Sequence, residues 1–173
     1  MLAKLSACLA TLALLSAPAF AQGNKPTDPQ IAHIAYTADK IDIVAAKQAL
    51  AKSKNKEVRA FAQDMVRDHS EVNKEALALV KKLKVTPQDN PTSRALSKQA
   101  AAERKKLAKL HGPAFDKAYV ANEIAYHKEV DNALETTLIP SASNAQLKSL
   151  LQTGLKIFQG HEQHAEHVAA DLK

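Results

Sequence analysis

The sequence predicts an all-α protein built as an up-down helical bundle. Apolar residues recur at helical spacing through four long segments, no stretch alternates with period two, and β-branched and aromatic clusters are absent. The breaks between segments are short and carry capping residues, Pro and Gly, which suits antiparallel neighbours.

Met1 to Ala21 reads as a cleaved secretory signal peptide. Lys4 gives a positive start, Leu5 to Leu15 an apolar run shorter than the roughly 20 residues of a membrane span, and Ala19-Phe20-Ala21 a small-x-small cleavage site. Periplasmic or secreted localisation follows as the expectation. Cys8 leaves with that segment, so residues 22–173 carry neither disulfide nor thiolate chemistry, while all seven histidines stay.

After a polar lead over residues 22–27, Thr27-Asp28 and Pro29 open a first helix running to about Ser53, and the domain is expected to span 28–173. Its inward stripe is Ile31, Ile34, Ala38, Ile41, Ala45 and Ala49, with Asp42 beside it. Asn55 caps a second helix to about Lys84, whose inner face carries Val58, Phe61, Ala62, Met65, Val72, Ala76, Leu79 and Leu83, interrupted by His69. Val85 to Thr92, with Pro87 and Pro91, is a loop. Ser93 then caps a basic, alanine-rich helix to about His111, with Leu96, Ala100, Leu107 and Leu110 as its apolar line. Gly112-Pro113 is a stop and restart, leading into a helix from Ala114 to about Leu138 with Val120, Glu123, His127, Val130, Leu134 and Thr137 inward. Pro140 to Ser143 makes the last turn. Ser143 or Asn144 caps a final helix through Ala170, with Leu147, Leu151, Phe158, His161, Ala165, Val168 and Leu172 facing in. The sum is a ferritin-like up-down four-helix bundle with an extra short basic crossover helix.

The titratable residues on those inner faces are the functional signal. Counting about 1.5 Å of rise per residue from each turn places Asp42, His69, Glu123, His127 and His161 in one layer of the bundle. Glu123 and His127, four apart, share a face, and His161-x-x-His164 adds a second pair. Histidines and carboxylates on facing helices surround a cation with rigidly held ligands, so Asp42, His69, Glu123, His127, His161 and His164 are the candidate metal ligands. The donor types suit iron, manganese, zinc or copper rather than calcium. The competing reading is a buried Asp-His or Glu-His hydrogen-bond network that fixes helix register. His33 and His111 read as ordinary exposed residues.

The net charge of +6 falls to +5 without Lys4, and most of the excess lies in Lys98 to Lys109. Lys98, Arg104, Lys105, Lys106 and Lys109 read as a solvated face, with docking to an acidic partner or membrane surface as the alternative. Base-stacking aromatics do not interleave these cations, so nucleic acid is not an expected partner. A glycine-rich phosphate loop and a serine in a nucleophile-elbow context are also missing, which disfavours an ordinary hydrolase. No catalytic residue is assigned.

Phe61-Ala-x-x-Met65-Val-x-Asp68-His69, then Phe115-Asp116 with Tyr119 and His127, then His161-x-x-His164-Ala165 resemble, in order, the blocks of the bacterial secreted domain-of-unknown-function family 4142. The resemblance runs from about Ile31 to the C-terminus. It implies a ferritin-like helical fold and export to the periplasm or cell surface, and it implies no activity. The chain departs from the pattern in having Asp42 where glutamate is usual and Ile157 to Gly160 in place of a leucine-proline turn.

Overall fold

The computed structural model describes residues 25–172, and every regular element among them is helical. The expected signal peptide at 1–21 lies outside the described residues. Helix α1 (Asp28–Lys52) begins at Thr27, whose backbone N–H donates to Gln30 Oε1 at 3.0 Å. Helix α2 (Lys56–Lys82) follows Asn55, whose side-chain oxygen accepts from the N–H groups of Glu57 and Val58. The three-residue gap forces an antiparallel hairpin, and alanines 45, 46, 49 and 62 let the two helices approach closely.

Helix α3 (Pro91–Ala108) starts two residues before the predicted cap. Asn90, not Ser93, is the N-cap, because its Oδ1 accepts from Ser93 N while Pro91 fills the first helical position, where no N–H is needed. Helix α4 (Gly112–Ala133) starts on Gly112, which takes a φ of +54°. It then widens into a π-helical turn (Leu134–Leu138) and a short α5 (Ile139–Ser141). The predicted turn at Pro140 is therefore displaced to Ala142–Asn144. Pro140 has no N–H and crowds the carbonyl four residues back, and the π turn, in which Ile139 N–H reaches Leu134 O, takes up that mismatch. Helix α6 (Ala145–Asp171) opens on Asn144, which accepts from Gln146 and Leu147.

Around the bundle the order is α1, α2, α6, α4, each antiparallel to its neighbours. Helices α2 and α4 are thus diagonal and parallel, which requires a connection running the length of the bundle. Helix α3 is that connection. It lies along α1, tied by Asn90 Nδ2 to Gln30 O at one end and by Lys52 Nζ to Ala108 O at the other.

The core divides into two apolar clusters. One holds Ala45, Ala49, Phe61, Met65, Phe115, Tyr119 and Val168, the other Ile31, Ile34, Leu134, Leu138, Leu151 and Phe158. Between them lies a layer of buried polar side chains. Among the described residues no helix is long and apolar enough to cross a membrane.

Candidate metal centre

That layer takes one or two groups from each bundle helix: Asp39 and Asp42 from α1, His69 from α2, Glu123 and His127 from α4, and His161 from α6. Each sits on the inward stripe of its helix, in register with the apolar residues one turn away. None is more than 6 % exposed, so each must resolve its charge and hydrogen bonding inside the protein.

The three imidazoles form a triangle, with ring centroids 5.0 Å apart for His69–His161, 5.7 Å for His127–His161 and 5.8 Å for His69–His127. Each ring has one nitrogen engaged outward. His69 Nδ1 donates to Asp39 Oδ1 at 2.7 Å, His127 Nδ1 donates to the Glu123 carbonyl at 2.9 Å, and His161 Nε2 donates to Asp68 Oδ2 at 3.0 Å. The remaining nitrogens, His69 Nε2, His127 Nε2 and His161 Nδ1, are buried without a hydrogen-bond partner, as is Glu123 Oε2, and His69 Nε2 faces Asp42 Oδ2 at 3.6 Å. An outer hydrogen bond that fixes the tautomer and aims the opposite lone pair inward is how metal-ligating histidines are held.

Charge follows the same pattern. Burial pushes the His127 imidazole down to about 4. Burial, then the neighbouring imidazoles, hold His69 well below the ordinary range. Burial lowers His161 as well, against the opposing pull of Asp68. All three shifts favour the neutral imidazole, the form that ligates metal. Burial raises Glu123 to about 7, and Asp42 is raised well above its usual value by burial and then by the Glu123 and Asp39 charges.

Two donor sets meet here. One atom from each of His69, His127 and His161 lies within 4.8 Å of the others, and the same holds for Asp42, Glu123 and His127. The centre of such a triangle is about 2.8 Å from its corners at most, so an inward movement of under about 1 Å gives the 2.0–2.2 Å bonds of a transition metal. His127 belongs to both sets but has one free nitrogen, so the two sets serve one ion at a time.

Of the residues read from the sequence, Asp42, His69, Glu123, His127 and His161 therefore come together. His164 does not join them. It lies half-exposed against the edge of Phe61, 3.8 Å from Asp64 Oδ2, because three residues of helix turn it away from the direction of His161. Two residues that orient the centre escaped the sequence reading. Asp39, one turn before Asp42, is the closest partner of His69, with Asp42 at 3.6 Å, and the i, i+3 spacing of the two aspartates was the available signal. Asp68 is paired with Arg67 and also holds His161. The Tyr119 hydroxyl, one turn before Glu123, is likewise buried without a partner.

A cavity of about 510 Å³ opens between α1, α3 and α4, and Asp42 and Glu123 line it. Phe158, from the apolar cluster that includes Ile31 and Leu151, stacks on His69 at 4.8 Å.

No curated protein and no solved structure matches the chain. A family model does match, over residues 13–168, and by that match the chain belongs to the family described as a domain of unknown function, DUF4142.

Proposed function

We propose that this protein binds one transition-metal ion in the middle of its helical bundle, as an exported protein serving metal binding or protection against oxidative stress in the cell envelope. The observation that carries the reading is the convergence of His69, His127 and His161, whose remaining nitrogens, His69 Nε2, His127 Nε2 and His161 Nδ1, are buried without a hydrogen-bond partner. Each orphaned polar atom costs about 1–3 kcal/mol. Three of them amount to a large part of the 5–15 kcal/mol that holds a typical domain together. With the outer nitrogens donating, all three are acceptors, and a water molecule donates only two hydrogen bonds, whereas one cation satisfies every lone pair. Three imidazoles with carboxylates beside them suit zinc, copper, iron or manganese. The export half of the proposal rests on the Lys4, Leu5–Leu15 and Ala19-Phe20-Ala21 pattern.

The test is elemental analysis of untagged protein purified without chelator and then loaded with iron, manganese, zinc or copper. The expected result is close to one ion per chain, lost in His127→Ala and in His161→Ala and retained in His164→Ala. Background metal under every loading condition would overturn the reading.

A second reading is favoured by α3. Lys98, Arg104, Lys105, Lys106 and Lys109 are all exposed, and among the described residues only Lys106 has an ion-pair partner, Glu103 at 2.8 Å. On this reading α3 docks on an acidic partner or membrane surface. Association would then weaken with salt and with neutralisation of Lys105, Lys106 and Lys109.

A further inference from the structure

The metal centre needs a way in, and the two sides of its layer differ. On the α2/α6 side, Phe158 covers His69, and Arg67 bridges Asp64 and Asp68 across the approach to His161. On the α1/α4 side, α3 covers the layer without filling the space beneath it. The reason lies in the sequence of α3. Leu96 and Leu107 are fully buried and anchor the helix at two points three turns apart. Between them the inward positions are Ala100 and Glu103, and a methyl group and a partly solvated carboxylate cannot reach the bundle. The gap is the 510 Å³ cavity. Its floor is Asp42 and Glu123, and its walls carry further oxygen atoms from Asn122, Glu103 and Glu129.

We propose that this cavity is the route by which a divalent cation reaches the centre, with Asp42 and Glu123 as the first buried ligands it meets. This inference rests on the metal reading above. Hydrated divalent cations exchange water for oxygen donors stepwise, and the cavity offers such donors from its mouth to its floor. Lys98, Arg104 and Lys106 stand at the rim and oppose cation entry, but they are solvent-exposed, and Lys106 is held by Glu103. Asp42 and Glu123 are also the only members of the two donor sets that line this cavity. A cation arriving there is handed to His127, which both sets share, and the histidine set lies behind it.

The experiment is the rate of Co2+ uptake, followed by absorbance, in a chain plugged after folding. Gln99 lines the cavity and is exposed. In a Cys8→Ser background, Gln99→Cys is alkylated with a bulky maleimide once the protein has folded, so the plug cannot disturb folding. Ala100→Phe is the genetic counterpart, and Arg67→Ala opens the opposite side. The expected result is at least tenfold slower uptake in the plugged protein with unchanged final occupancy, and an unchanged rate in Arg67→Ala. Uptake as fast as in the unplugged chain would overturn the route while leaving the centre intact. Faster uptake in Arg67→Ala, or a lower final occupancy on plugging, would also overturn it, since a route sets the rate and not the affinity. Failure of the unmodified protein to take up any Co2+ would overturn both the route and the centre.

Discussion

His127 has one nitrogen spent on the Glu123 carbonyl and one left over, so the proposed centre has a single lone pair there, enough for one ion rather than two. Next along the same face, Asp131 shows the cost of a buried carboxylate outside the donor sets. Both of its oxygens lack partners, and burial, then the Glu162 and Glu135 charges, push its pKa from 3.8 to about 7. The folded state thus holds a proton that the unfolded state releases. The stability linked to Asp131 is complete below 3.8 and is lost as the pH rises through about 7. Asp131→Asn should therefore stabilise the metal-free protein by about 1–3 kcal/mol at pH 8, with the gain shrinking to nothing near pH 4, as read by urea denaturation at the two pH values. The inward placement of Asp42, His69, Glu123, His127 and His161 was legible because a period and a rise per residue suffice to put a side chain on a face and at a height. The partners Asp39 and Asp68 were not. Which acceptor a ring nitrogen selects depends on the neighbouring helix, and periodicity along one chain segment carries nothing about that.

At the scale of elements, the long helices were readable in kind and nearly in length, and the differences fall where two signals compete. Asn90 and Ser93 are both good caps, and Pro91 decides between them by occupying a position that needs no donor. Asn90→Ala removes the side-chain acceptor for Ser93 N and the tie to Gln30 O. The expected loss is about 1 kcal/mol, a fall of about 2–4 °C in melting temperature. Pro140 signals a break, yet the helix passes through it by way of the π turn, because Leu134 and Leu138 are buried and leaving the helix earlier would expose them. Sequence period does not show that tertiary packing will override a proline. Helix α3 was legible as basic and extra. That it crosses between diagonal helices, and leaves space beneath Ala100, follows only from the arrangement of the other four.

For the whole molecule, the apolar clusters at either end carry the hydrophobic stabilisation, and the polar layer between them weakens the metal-free protein. An ion that binds only the folded state adds about 2.7 kcal/mol at a hundredfold excess over its Kd. Metal addition should accordingly raise the melting temperature by about 5–10 °C at this chain length, and chelator should reverse it. The shift should be absent in His127→Ala. The start of α1 is also where the chain closes on itself. Asp28 accepts hydrogen bonds from Ser143 N at 2.8 Å and Asn144 N at 2.9 Å, across 115 and 116 residues of sequence. Contacts that distant close late, since the loop they complete costs entropy before it returns any burial. The α1–α2 and α4–α6 hairpins can each form locally, but neither alone holds three of the inward-facing donors from either set. Assembly of the two donor sets thus coincides with the joining of the two hairpins, and on the proposed function occupancy would report that the fold is complete.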